Sequence, residues 1–239
     1  MLLLRSLVFY AGLYLLLTVF TFLVLLTFPL KTPARLVLPR LWARIVIAWL
    51  RLICGLDHKV EYSGALPKPP YIILAKHQSA WETIALQTIL PPFVFVTKRE
   101  LKWIPIFGWG LAMTGPISID RNAGQKALDQ VIEQGRERFD EGLCVLVFPE
   151  GTRVPVGTKR RYKLGGATLA AATGLPILPI AHNAGLFWPR RSIRKKPGMI
   201  TIEIGPPIET AGKTVNEINA EAERWIEGRM KDLIPGAIQ

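Results

Sequence analysis

The 239-residue sequence predicts an α/β fold: a mixed or largely parallel sheet flanked by helices, preceded by a membrane-associated helical segment. Three observations carry this. From about residue 57 onward, short apolar runs alternate with stretches of helical periodicity. Two of those runs end directly in polar, turn-forming motifs, as strands of an open α/β sheet do where a ligand crevice lies. Before residue 57 the chain is apolar and basic in a different pattern, which divides it into an N-terminal anchor with an interfacial helix (1–56) and an α/β domain (57–239).

Taken in order, Leu2 to Leu30 carries one charge, Arg5, and the run from Ser6 to Leu30 exceeds the roughly 20 apolar residues a spanning helix needs. A signal peptide is the rival reading, but the run is long and no A-x-A-like cleavage site follows, so a retained anchor is expected. It either crosses the membrane or returns as a hairpin with the next helix, from about Arg40 to Leu56. On a wheel of 3.6 residues per turn, Arg40, Arg44 and Arg51 fall within about 40° of one another, and Trp42 and Trp49 lie opposite. That pattern predicts an interfacial helix with arginines toward headgroups and indoles in the boundary; docking on the chain's own domain is the alternative. The basic cluster Lys31, Arg35, Arg40, Arg44 and Arg51 places the main domain on the cytoplasmic side.

In the second part, Val60–Tyr62, Tyr71–Ala75, Phe93–Thr97, Gly115–Ile119, Leu143–Phe148, Ile177–Ile180 and Met199–Ile204 read as strands. Thr83–Leu90 reads as a helix stopped by Pro91-Pro92, and Ala123–Glu141 as an amphipathic helix with Gly142 just past its end. The last helix opens at a capping box, Thr214 to Glu217, and turns Ile218, Trp225 and Leu233 inward.

Composition narrows the function. A net charge of +12 and a pI near 10.0 point to anionic partners. Half the residues are apolar, which favours a phospholipid surface over nucleic acid, for which no module is visible. The two cysteines, Cys54 and Cys144, imply neither a disulfide framework nor a metal site. No Walker loop, GxGxxG fingerprint or GxSxG elbow is present.

Two motifs carry chemistry. His77 and Glu82 stand five apart in Lys76-His77-Gln78-Ser79-Ala80-Trp81-Glu82, where a strand ends and a helix begins. Five positions diverge by about 140° on a continuous helix, so the two meet only if His77 precedes the helix and Glu82 lies in its first turn. The same residues also fit a capping box, with Ser79 as N-cap and Glu82 serving only backbone donors. About seventy residues on, Phe148-Pro149-Glu150-Gly151-Thr152-Arg153 follows another strand. There Arg153 offers a planar fork suited to phosphate, or else pairs with Glu150 in a surface turn.

Together these blocks resemble the glycerolipid acyltransferase family, within it the bacterial 1-acyl-sn-glycerol-3-phosphate acyltransferases. The His77-x4-acid box and Phe148–Arg153 are joined by Lys98-Arg99-Glu100-Leu101 with Pro105 and Gly108, and by Leu175-Pro176-Ile177-Leu178-Pro179-Ile180. Ile119-Asp120-Arg121 and Lys163-x-Gly165 are less specific matches, and the whole covers roughly residues 60 to 205. One departure is Glu82, where the family most often has Asp; H-x4-acid boxes also occur in acyltransferases acting on lipid A precursors.

The resemblance implies transfer of a fatty acyl group from acyl-CoA or acyl carrier protein to the sn-2 hydroxyl of lysophosphatidic acid, giving phosphatidic acid at the bacterial inner membrane. Another lysolipid acceptor, such as a lyso-ornithine lipid, or a non-catalytic basic membrane-binding module, are the alternatives. It implies His77 as general base, oriented by Glu82, with backbone N–H groups at the following helix start as oxyanion donors. Arg153, Lys98 and Arg99 are the expected phosphate ligands, supported by Gly151, Thr152 and, more weakly, Lys163; Glu150 is grouped with them and either organises the loop or binds a glycerol hydroxyl. No bound cofactor or metal is implied. Arg190, Arg191, Arg194, Lys195 and Lys196 form a basic run that either is solvated or meets an anionic headgroup or acidic carrier. Trp103, Ile104, Phe107 and Trp109 either line an acyl channel or face core or membrane. His58 and His182 read as structural.

Overall fold

The computed structural model describes residues 1–120 and 123–236; Arg121, one of the motif residues above, lies outside them. Seven strands, β1 (Leu56–Tyr62), β2 (Ile72–Ala75), β3 (Phe93–Lys98), β4 (Ile117–Ile119), β5 (Cys144–Val147), β6 (Ile177–His182) and β7 (Gly198–Ile204), form a sheet in the order β1-β7-β6-β2-β5-β3-β4. Every pairing is parallel except β6 with β7, so the sheet is mixed. The expected strands are all present, β1 and β6 being longer than their apolar runs indicate.

The helices are α1 (Leu2–Leu25), α2 (Thr32–Arg35), α3 (Val37–Cys54), α4 (Trp81–Ile89), α5 (Phe107–Met113), α6 (Gln125–Asp140), α7 (Gly165–Thr173), α8 (Ala184–Phe187) and α9 (Val215–Leu233). Their ends follow the local chemistry. α3 stops at left-handed Gly55. α6 closes with Gly142 at positive φ, its N–H on the Phe139 carbonyl and the Leu143 N–H on Arg138, a Schellman arrangement. α9 opens on a complete Thr214–Glu217 capping box. Sequence patterning missed α7, because paired glycines at its start argue against a helix. They are there for packing: a Cβ at Gly166 would meet Leu74 at 2.5 Å, so glycine lets α7 lie close on the sheet.

Two apolar layers cover the sheet. One joins Ile73, Leu146 and Ile202 to Phe9 of α1, Ala43, Val46 and Leu50 of α3, and Trp81 and Ala85 of α4. The other joins Ile72 and Val145 to Val131 of α6, Ala170 of α7 and Ile226 of α9. α3 is therefore docked on its own domain, and its indoles differ from the expectation. Trp42 and Trp49 are half-buried against this layer with Nε1 enclosed, and a Cβ at Gly12 of α1 would collide with the Trp49 indole. A helical wheel fixes which residues share a side, not what covers that side.

Among the described residues α1 is the one helix long and apolar enough to cross a membrane. It lies along the domain instead of leaving it: Ser6 accepts from the Lys195 N–H, Tyr10 from the Lys195 ammonium, and Thr21 donates to the Ile106 carbonyl. Gly12→Leu should overpack the α1–α3 contact and destabilise the protein by about 1–3 kcal/mol. Thermal unfolding in detergent checks this, and adding Trp49→Ala should recover part of the loss.

Candidate active site

The site lies at the carboxyl ends of adjacent parallel strands. His77 follows β2, the Phe148–Arg153 loop follows β5, and Lys98 ends β3 with Arg99 just after it. Strands β2, β5 and β3 are neighbours, so segments far apart in sequence share one edge, as the crevice rule anticipates.

His77 sits in the turn before α4. Its Nδ1 is 2.9 Å from Glu82 Oε1, and its ring stacks on Phe148 at 3.9 Å between centroids. Glu82 is fully buried in the first turn of α4, where the helix dipole favours an anion. The same Oε1 also accepts the N–H groups of Gln78 and Ser79, at 2.9 and 2.8 Å. Capping and imidazole contact are thus one arrangement, not rivals. The predicted box is shifted: α4 begins at Trp81, and the Ser79 hydroxyl accepts the Trp81 N–H at 3.1 Å. With Nδ1 held by a carboxylate, Nε2 is the nitrogen left for proton exchange.

Burial alone would raise the Glu82 carboxyl; His182, His77 and the Ser79 N–H outweigh it and hold the group below its ordinary value. His182, wholly buried behind Glu82, places Nε2 2.8 Å from the Lys76 carbonyl and accepts the Ala184 N–H at Nδ1. That pattern fixes the Nε2–H tautomer, and burial lowers the His182 pKa. Sequence reading treated His182 as structural; it closes β6, whose pairing with β2 brings it behind Glu82.

Below the turn lies a second buried group. Lys76 Nζ is 2.8 Å from Glu150 and 2.7 Å from Glu227 of α9, and Tyr162 donates to Glu227 at 2.9 Å. Burial would lower the Lys76 ammonium, but the two carboxylates outweigh it and hold it raised. Two carboxylates share one ammonium in a dry place, and burial pushes Glu150 up to about 7 against the pull of Lys76. Glu150 Oε2 accepts the His77 N–H at 3.0 Å, and the Val154 N–H donates to the His77 carbonyl at 2.8 Å. The backbone of His77 is therefore clamped from both sides by the 150–154 loop.

These facts correct two expectations. Glu150 is 0% exposed and ion-paired, so it organises the loop and is not on the phosphate surface. The N–H groups of His77, Gln78, Ser79 and Trp81 are already engaged, which removes them as oxyanion donors. The cationic candidates are near the surface. Arg99 pairs with Asp120 at 2.9 Å and Lys98 with Glu100 at 3.4 Å, while Arg153 makes no salt bridge among the described residues. Gly151 takes φ +70°, and a Cβ there would meet the Lys163 side chain at 3.0 Å, so Lys163 passes directly over the turn beside Thr152. Trp103 is 81% exposed, and Ile104, Phe107 and Trp109 are exposed too, so these four face outward instead of lining a channel.

The catalogue of known proteins agrees with this architecture. Residues 58–183 match the Acyltransferase family, and the chain belongs to that family. It is 43% identical, over 81% of its length and 77% of the relative's, to a 1-acyl-sn-glycerol-3-phosphate acyltransferase of Pseudomonas aeruginosa. It is 34% identical to the protein of that name from Saccharomyces cerevisiae, covering 80% of this chain and 64% of that one. The fold matches the crystal structure of the 1-acyl-sn-glycerophosphate (LPA) acyltransferase PlsC from Thermotoga maritima, with TM-score 0.80 at 24% identity, over 98% of this chain and 96% of that one.

Lys76→Met would strand two buried carboxylates and should cost about 3–5 kcal/mol of stability, read as a lowered unfolding midpoint in detergent. Glu82 gives a pH signature. Its folded pKa is depressed, so its contribution is present above the ordinary 4.5 and lost as pH falls through the lower folded value. As pH falls below 4.5 the wild-type unfolding midpoint should therefore drop more steeply than that of Glu82→Gln.

Proposed function

We propose that this chain transfers an acyl group from acyl-CoA or acyl carrier protein to the sn-2 hydroxyl of 1-acyl-glycerol-3-phosphate, forming phosphatidic acid. One observation carries the reading: an imidazole that is mostly buried yet still reaches the surface, its Nδ1 held by a fully buried carboxylate, at a crevice edged by cationic loops. The names of the Pseudomonas and yeast relatives support the same acceptor.

In this reading His77 Nε2 takes the proton of the acceptor hydroxyl as that oxygen attacks the thioester carbonyl. Glu82 keeps the tautomer and stabilises the imidazolium that forms. Collapse of the tetrahedral intermediate breaks the C–S bond, and the imidazolium returns its proton to the departing thiolate. The products are an ester and a thiol, and no serine intermediate is needed. The acceptor phosphate is assigned to Arg153, with Arg99, Lys98 and Lys163 nearby and Thr152 adding a hydroxyl.

Residues 1–56 serve as the membrane layer in this reading, on the cytoplasmic side of the bacterial inner membrane. Leu3, Leu4, Leu7, Leu15, Val19 and Phe22 of α1 are exposed, and α5, packed beside α1, adds Phe107 and Trp109. A continuous apolar face of this kind lies in an interface more readily than it stays in water. A lysolipid could thus reach the crevice from the bilayer without crossing solvent.

The test is acyl transfer to lysophosphatidic acid by the purified protein. His77→Ala should lower kcat by about 10²–10⁴-fold with folding intact. Arg153→Ala should raise KM for lysophosphatidic acid about tenfold, and leave KM for a phosphate-free monoacylglycerol unchanged. Normal turnover in His77→Ala would defeat the assignment of the base.

A further inference from the structure

Beside the catalytic turn, on the β6 side, lies a cavity of about 400 Å³ that the chemistry above leaves without an occupant. Gln78, the residue directly after His77, is one of its lining residues. Gln78 is 2% exposed, yet its Oε1 has no hydrogen-bond partner among the described residues. A buried amide oxygen without a partner is unfavourable, and a small rotation of the Gln78 side chain toward the cavity offers it to a ligand N–H. Gly185 lines the cavity directly beside Gln78. A Cβ there would meet Val156 at 2.7 Å and Gln78 Oε1 at 3.0 Å, so any larger residue would narrow the passage at the unpartnered oxygen.

The outer rim is cationic. Arg190, Arg191 and Lys196 line it, are exposed, and form no salt bridge among the described residues. The loop that carries them is built and fixed from beneath. Lys195 is 1% exposed, and its ammonium donates to Tyr10 and to the carbonyls of Ser192 and Ile193. Arg190 donates to the Arg153 carbonyl at 2.8 Å, tying the rim to the active-site loop.

The cavity therefore brings together three exposed cations with no salt bridge among the described residues, a wall of Val156 and Gly185, and one buried amide acceptor on the residue next to His77. We propose that it binds the phosphopantetheine arm of the acyl donor, with the phosphate on Arg190, Arg191 and Lys196, an amide N–H of the arm on Gln78, and the thioester beside His77. This rests on the acyl-transfer reading and assigns the donor a place separate from the acceptor phosphate. The phosphopantetheine group is common to acyl-CoA and acyl carrier protein, so the site serves the chemistry they share.

The experiment compares wild type with Arg191→Glu/Lys196→Glu and, separately, with Gln78→Leu. The donors are acyl-CoA, acyl carrier protein and phosphate-free acyl-pantetheine, at saturating lysophosphatidic acid. The charge-reversed variant should raise KM about tenfold for each phosphate-bearing donor that wild type uses, and leave KM for acyl-pantetheine and for lysophosphatidic acid unchanged. Gln78→Leu should raise KM for all three donors. A rise in KM for lysophosphatidic acid instead would make the rim an acceptor site and overturn the proposal. Unchanged KM values in the charge-reversed variant, or a rise confined to one of two donors that wild type uses, would also overturn it. Both rim substitutions are on exposed side chains, so folding is not at stake. Absence of turnover in wild type with every donor would refute the acyl-transfer reading itself, a result distinct from turnover with unaltered KM.

Discussion

The turn from His77 to Glu82 depends on a single buried oxygen. Glu82 Oε1 meets the His77 imidazole and two backbone N–H groups, and nothing else in the turn can replace a carboxylate there. A buried anion is expensive unless its lone pairs are used, and here the pairing fixes both the backbone path and the ring orientation. The choice of Glu over Asp is consistent with this geometry. The longer side chain reaches back from the first turn of α4 to donors at 77, 78 and 79, so one residue caps the turn and orients the imidazole.

A second buried charge group supports the first. Lys76 points away from the crevice, holding Glu150 under the His77 N–H and reaching Glu227 on α9. The cluster links the His77 turn, the Phe148–Arg153 loop and the C-terminal helix through short polar contacts. Such a group adds little net stability over an apolar equivalent, since desolvation offsets most of the attraction. Its consequence is positional: His77 is held at its N–H by Glu150, at its carbonyl by Val154 and at its ring by Glu82 and Phe148. A general base needs that kind of fixed orientation more than it needs added stability.

The N-terminal helices set an exposed apolar face on the same body as the site. α3 contributes Val46 and Leu50 to the core, and α1 closes over its indoles, leaving the outer face of α1 apolar and exposed. Lys195 fastens α1 to the basic loop beside the crevice through Tyr10 and Ser6. The apolar outer layer and the edge that carries His77 are therefore parts of one packed body, which sets the height of His77 relative to any surface that α1 meets.

The local features were legible in the sequence because they depend on neighbours in the chain. Strand–helix alternation, the Thr214 capping box, the Gly142 helix stop and the His77–Glu82 spacing all rest on contacts within a few residues. The motif segments could be read as one site because each follows a strand and ligand crevices form at strand ends. What the sequence could not fix was the strand order. Only the β6-β2-β5-β3 sequence of neighbours puts His182 behind Glu82 and Glu150 beneath His77, and only the packing of α9 brings Glu227 to Lys76. The same limit explains the indoles of α3: an apolar stripe is satisfied equally by lipid or by another helix, and periodicity does not distinguish them. Local backbone preference is written residue by residue, whereas the partners of buried charges and apolar faces are chosen when distant segments compete to exclude water, and that competition is settled in three dimensions.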